Sequence, residues 1–228
     1  MNIYIPPFPV IPKQESLDFT SLMNQNIPQI RSRWGSYITD ACAAYGTDPN
    51  IMIGFIGIEC PDLNPAGVSS AGAIGVLQMQ VPTAWDYINK QAPQLPPAFG
   101  AILNKYLPGL VKPVGGFTGF LSTWKSRLED ALYQEEFNIW VGVTGLSQLI
   151  WGDIKSNKGT LRLDHVVIKY NAGGDDYSGN YHKFVITPGL QHADPSTLLP
   201  LIPLVETRAY IIKLMGIEGS VIVALRMQ

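Results

Sequence analysis

One stretch constrains the fold more than any other: residues 48–61, DPNIMIGFIGIECP. Asp48 is a good N-cap and Pro49 suits the first helical position, so a helix starts there. The run IMIGFIGI is apolar on every side of a helix, and such a helix is stable only when buried all round. Pro61 ends it. The sequence therefore predicts a short central helix around which the domain is built. Its last residue, Glu59, is its only charged group.

That acid is unusual company for its neighbours. By position alone Glu59 is an ordinary solvated helix terminus. A carboxyl held against apolar walls is costly to ionise, however, and its pKa rises. A carboxyl that keeps its proton near neutral pH can give it to a leaving oxygen. After Glu59 comes CPDLNPAGVSSAGAIG, rich in small residues and turn formers, and then Gln78 among Val76, Leu77 and Met79.

The remaining pattern is helical. Ile30, Trp34, Tyr37, Ile38 and Ala41 recur at three- and four-residue steps, which predicts a helix from about Pro28 to a cap at Gly46. Residues 81–90 read as a short helix, and residues 91–119 as loop, with many Pro and Gly turn signals. Leu132, Ile139, Trp140, Val143, Leu146 and Ile150 predict one long helix over about 127–151. Asp164 caps a further helix that ends at Gly173-Gly174, residues 175–203 read as loop, and ETRAYIIKLMG forms a last helix. Strand signals are weak. The expected fold is mostly α: one globular helical domain over residues 28–219, with an insertion at about 88–130. A Pro-rich arm (1–27) precedes it and a tail (220–228) follows.

Composition narrows the function. The 228 residues fit one ordinary domain, and 46% apolar residues suffice for a core. Only 15% are charged and the net charge is −2, so a basic footprint for nucleic acid is absent. Cys42 and Cys60 are too few for a disulfide framework; they read as buried free thiols, with a single bridge still open. His165, His182 and His192 lack metal-ligand spacing and read as surface or loop residues, so no metal and no cofactor are expected. Asp62, Asp175 and Asp176 read as solvated loop acids. The start, MNIYIPPFPVIPKQES, has neither the basic residues nor the unbroken apolar core of a secretory signal, and no run is long enough to span a membrane.

Four motifs in order carry a resemblance. They are Glu59 followed by Asn64-Pro65, Ser69 and Gly72-Ala73; Gly75-Val76-Leu77-Gln78-Met79 with Pro82-Thr83-Ala84; Tyr170-Asn171-Ala172-Gly173; and Glu206-Thr207-Arg208-Ala209-Tyr210. Together they resemble the catalytic core of the soluble lytic transglycosylases, which share the goose-type lysozyme fold. The resemblance covers about residues 30–88 and 130–216. It implies a lysozyme-like helical domain with a glycan cleft and a peptidoglycan substrate. It also implies cleavage of the bond between N-acetylmuramic acid and N-acetylglucosamine, leaving 1,6-anhydromuramoyl ends.

By matched position, Glu59 is the catalytic acid and base. Gln78 hydrogen-bonds the sugar or holds it near Glu59. Ser69 sits near the carboxylate and contacts the glycan. Tyr170 and Asn171 line the cleft, Met79 is a cleft wall or core, Glu206 supports the site by hydrogen bonds, and Tyr210 packs. Two departures stand out: Cys60 replaces the usual Ser after the acid, and one extra residue lies in CPDL. Cys60 as a nucleophile would need a nearby His, and none is close in sequence.

An enzyme of the cell wall without a visible export signal needs another route. The expectation is a bacteriophage virion protein that acts on the host periplasmic wall during genome entry, docked to other virion proteins through the arm or the insertion. Alternatives are a bacterial periplasmic enzyme, a goose-type hydrolase with Asp62 or Asp175 as base, and a non-catalytic structural virion protein.

Overall fold

A computed structural model of the chain describes residues 2–4, 13–91, 95–110, 117–172, 205–216 and 219–227. These residues are mostly helical. The chain forms two compact units: residues 26–147, and residues 1–25 together with 148–228.

In the unit of residues 26–147, α1 (Lys13–Tyr45) contributes Ile27, Ile30, Trp34, Ile38 and Ala41 to the core, all fully buried. The helix does not begin at Pro28 as the sequence suggested; it starts at Lys13 and carries Pro28 inside it. Proline removes one backbone hydrogen bond. The apolar stripe nevertheless continues unbroken through it, because Met23 and Ile27 extend the spacing of Ile30 and Trp34. Tertiary burial on that stripe outweighs the local cost.

The central helix is as predicted. α2 (Pro49–Glu59) is buried from Asn50 to Gly57. The Asp48 carboxylate caps it, accepting the Asn50 N–H at 2.8 Å. Burying each large apolar side chain here stabilises the fold by about 1.5–3 kcal/mol, and Ile51, Met52, Phe55 and Ile56 are all at zero exposure.

Residues 91–119 are not all loop. They hold α4 (Pro97–Tyr106) and the start of α5 (Phe117–Leu132), after α3 (Val81–Gln91). Phe99 of α4 is fully buried and stacks on Trp140, with ring centroids 5.7 Å apart. That anchor overrides the surrounding turn signals. α3 and α5 also pack together.

The long helix expected over 127–151 is two helices. α5 ends at Leu132, Tyr133 and Gln134 form a turn, and α6 (Glu135–Ser156) begins. Both halves keep the same apolar period, so periodicity alone could not show the break. At the break the Asn138 side chain donates to the Leu132 carbonyl at 3.0 Å.

In the other unit, Asn2–Tyr4 forms strand β1, which pairs in parallel with β2 (Thr160–Arg162), Ile3 opposite Leu161. Part of the presumed arm is therefore a strand, and residues 13–27 are helix. α7 (Leu163–Ala172) packs on α8 (Val205–Met215), which in turn packs on α9 (Ser220–Arg226). The expected tail is thus α9, whose Val221, Val223 and Ala224 are buried.

His165 is a correction to the surface reading. It is 1% exposed, and its Nδ1 lies 3.1 Å from Asp153 Oδ1. The same Asp153 accepts the Arg162 backbone N–H at 2.6 Å, while the Arg162 guanidinium grips Asp164 at 3.0 and 2.7 Å. Paired charges tolerate burial that single ones do not, and together these groups fasten β2 to α6 and α7. His182, His192, Asp175 and Asp176 lie outside the described residues. No helix of the described residues is long and apolar enough to cross a membrane.

Candidate active site

Glu59 is the last residue of α2 and is half-buried, next to the fully buried run Asn50–Gly57. The chain leaves the helix through Cys60, whose N–H donates to Ile56 O at 2.9 Å. The CPDL segment, where the sequence departs from the family pattern, is well anchored. Asn26 Nδ2 donates to Pro61 O at 2.6 Å, and Arg33 Nη1 donates to Leu63 O at 2.9 Å. Asp62 Oδ1 accepts the Asn64 N–H at 3.1 Å, an Asx-type turn. Leu63 takes the bend of this turn, with φ 56. The turn after the acid thus lies largely at the surface and leaves α2 intact.

Cys60 is almost fully buried and free, as is Cys42. Burial first, and the Asp62 carboxylate second, push the Cys60 thiol up from 9.0 to about 12. A thiol held protonated is a poor nucleophile; its Sγ instead donates to Asn64 O at 3.4 Å.

Beyond the turn, the chain doubles back on itself. Val68 bridges Ile74, and Ile74 bridges Met79, both antiparallel. Ser69 Oγ accepts the Ala73 N–H at 3.0 Å, closing the tight 69–73 turn, and Gly72 adopts φ 77 there. Ser69 therefore shapes the loop as well as being half-exposed on it.

Gln78 has a rarer geometry. Its φ is 45, a left-handed conformation that costs a non-glycine residue about 1–2 kcal/mol. Such strain persists only where the surroundings over-determine it. Here the backbone N–H and Nε2 of Gln78 both donate to Gly75 O, at 3.1 and 2.9 Å, and Nε2 also donates to Gly67 O at 3.3 Å. Both amide hydrogens are engaged by the loop. What the side chain retains for a ligand is the acceptor, Oε1.

Met79 is 3% exposed and packs with the core. Leu77 and Val76 beside it are fully buried. Leu77 sits against α6 at Gly142, where an added Cβ would lie 2.3 Å from Leu77 Cδ1.

One residue of this loop's support went unread in the sequence. Asn138 of α6, at zero exposure, accepts the Leu77 N–H at 2.8 Å and donates to Ile74 O at 2.8 Å. A single polar residue in the apolar run FNIWVGV was the available signal, and its partners lie more than 60 residues away.

Glu59, Ser69, Gln78 and Met79 thus belong to one unit and to one helix–loop segment. Tyr170 and Asn171 end α7, half-buried, and Glu206 opens α8; these belong to the other unit, in which α7 and α8 pack together. Tyr210 is half-buried on α8. Among the described residues no group of His, Cys, Asp and Glu is arranged to hold a metal ion.

This arrangement of helices has a solved counterpart: an inactive mutant of the lytic transglycosylase Slt from Pseudomonas aeruginosa, with a TM-score of 0.52 over 87% of this chain at 16% identity. The chain shares its fold with a lytic transglycosylase. It spans about a quarter of that protein's length (25%). No protein-family profile matches the chain, and no curated protein matches it. The likeness therefore lies in the fold, and the mostly helical, lysozyme-like fold expectation holds.

Proposed function

We propose that the protein is a peptidoglycan lytic transglycosylase that cleaves the β-1,4 bond between N-acetylmuramic acid and N-acetylglucosamine with Glu59 as its one acid and base. The observation that carries this reading is the placement of Glu59. The one carboxylic acid of α2 closes a helix that is buried from Asn50 to Gly57, directly before the loop that carries Ser69 and Gln78, in a fold shared with Slt.

Two carboxyl groups normally cleave a glycosidic bond. The nearest second candidate, Asp62, is exposed and engaged in the turn of its own loop. A mechanism that needs one carboxyl group fits better. Glu59 gives its proton to the glycosidic oxygen as the C1–O bond breaks, and the bonding pair leaves with that oxygen. The substrate's acetamido oxygen bonds to C1 and holds the positive charge. The Glu59 carboxylate then takes the proton from the 6-hydroxyl, O6 bonds to C1, and the acetamido oxygen is released. No water is consumed, and Glu59 ends protonated as it began. Gln78 Oε1 can accept from a sugar hydroxyl or acetamido N–H. Tyr170, Asn171 and Glu206 carry the remaining motifs of the resemblance and belong to the other unit.

Glu59→Gln tests the assignment. We expect loss of wall solubilisation by at least about 10²-fold, in keeping with removal of a general acid, with an unchanged unfolding midpoint. Unchanged activity refutes the enzymatic reading and favours a structural protein. Mass analysis of the digest separates the two chemistries: anhydro ends support the transglycosylase, whereas reducing ends assign a hydrolase.

To this we attach carriage in a phage particle, with delivery to the host periplasmic wall and docking to other virion proteins. That route rests on the sequence alone. Detection of the protein in purified particles supports it, and absence from them removes it.

A further inference from the structure

The loop that bears Gln78 is buried over residues 73–77, and one side chain reaches two of its backbone groups and a third at the end of α5. We propose that Asn138 is a positioning residue for Gln78, an inference that rests on the transglycosylase reading for its catalytic consequence but not for its geometry.

The chain of contacts is short. Asn138 Oδ1 accepts the Leu77 N–H at 2.8 Å, and Nδ2 donates to Ile74 O at 2.8 Å and Leu132 O at 3.0 Å. These bonds fix both ends of the Ile74–Leu77 turn and tie it to the α5–α6 junction. The carbonyl of Gly75 lies inside that turn, and it anchors both the backbone N–H and Nε2 of Gln78. Gly75 itself has φ 78, and a Cβ there would stand 2.4 Å from Asn138 Nδ2 and 2.9 Å from Leu132 O. The amide thus lies against glycine backbone, which only the absence of a side chain permits.

No other side-chain type of this size supplies one acceptor and two donors in a plane. Aspartate has the same shape, but ionised it only accepts, and it would face the Ile74 and Leu132 carbonyls with oxygen. Buried groups left without partners are costly, so the turn loosens, Gly75 O shifts, and Gln78 loses the anchor that holds its left-handed backbone. The consequence for glycan cleavage follows through Gln78, since Asn138 is fully buried and touches no ligand.

The test uses the full-length protein and Asn138→Asp. Residue-resolved amide exchange is read together with solubilisation of purified sacculi. In the wild type, the Leu77 amide should be protected as strongly as the core of α1. In Asn138→Asp, amides of residues 75–79 should exchange about ten- to hundredfold faster, as one to two lost buried bonds imply. Those of residues 34–38 should be unchanged, and the rate of wall solubilisation should fall by a similar factor. Protonation restores one donor to the aspartate, so the deficit relative to wild type should shrink from pH 8 to pH 5, a rescue that a merely space-filling role would not show.

A Leu77 amide that exchanges like an exposed one in the wild type overturns the clamp. A loosened loop with undiminished solubilisation overturns the positioning role. If Asn138→Asp does not fold, Asn138→Ser gives the same comparison without a buried charge. Global unfolding of both overturns the proposal, because Asn138 would then act on the fold and not through Gln78. An inactive wild type with a protected Leu77 amide removes the enzymatic reading and leaves the clamp intact.

Discussion

Two loops flank the apolar segments of the candidate site, and they are held in opposite ways. The turn after Glu59, residues 60–64, lies largely at the surface. Side chains from α1 hold it: the buried Asn26 donates to Pro61 O and the exposed Arg33 to Leu63 O. The turn before Gln78, residues 74–77, is buried and is held from within by Asn138. Bonds at the surface compete with water and contribute little each. Bonds in the interior have no such competitor, so their loss is costly. The exposed turn can therefore tolerate change, whereas the buried turn admits neither an added atom nor a lost one.

Gly75→Ala attacks the buried turn most directly. It forces a side chain into a left-handed backbone against Asn138 and Leu132 O. We expect destabilisation of about 2–4 kcal/mol, seen as a lower urea midpoint. A change below about 0.5 kcal/mol, within the ordinary scatter of surface substitutions, would show the two turns to be equally tolerant.

The thiols test the boundary between the regions. Cys42 and Cys60 are both pushed up to about 12 by burial, from 9.0. A folded state that keeps a thiol neutral is favoured while the unfolded thiol is also neutral, below about pH 9. As pH rises from there towards the folded value, the unfolded chain ionises first and stability falls. Cys42→Ala with Cys60→Ala should flatten that first part of the alkaline decline in an unfolding series. The tyrosines Tyr45 and Tyr87, also held up to about 12 by burial, should preserve the later part, which starts near 10. An unaltered slope between pH 9 and 10 would place the thiols in contact with water.

Arg33→Ala should do least. Its guanidinium is 44% exposed and its partner Glu135 lies at 2.5 Å. We expect about 0.5–1 kcal/mol or less, with a salt-dependent share, and wall activity close to that of the wild type. A loss of activity matching that of Glu59→Gln would mean that the exposed turn, too, is held to close tolerance.

The sequence made the central helix legible because everything that defines it is local. Asp48 and Pro49 start it, an all-round apolar run buries it, and Pro61 stops it. Glu59 and Gln78 were visible as polar residues bounding apolar runs. Asn138 was not, since a lone amide inside a helical pattern takes its meaning from the Leu77 N–H and the Ile74 carbonyl, both more than 60 positions away. The break at Tyr133 and Gln134 was hidden because α5 and α6 keep one apolar period across it. His165 misled in the opposite direction: it reads as a surface residue until Asp153, twelve positions earlier, is seen facing it. Pro28 showed that a strong local breaker yields where its helix has a long buried stripe on both sides.

The pairing of β1 with β2 has a consequence for how the chain is made. Asn2–Tyr4 leaves the ribosome more than 150 residues ahead of its partner, Thr160–Arg162. Contacts so remote in sequence form slowly and late. Residues 26–147 are contiguous and can complete their own core during that interval. The three-residue ladder is then a closing clasp: its first strand waits for a partner made much later, and the interval leaves Ile3 and Tyr4 in search of a partner strand.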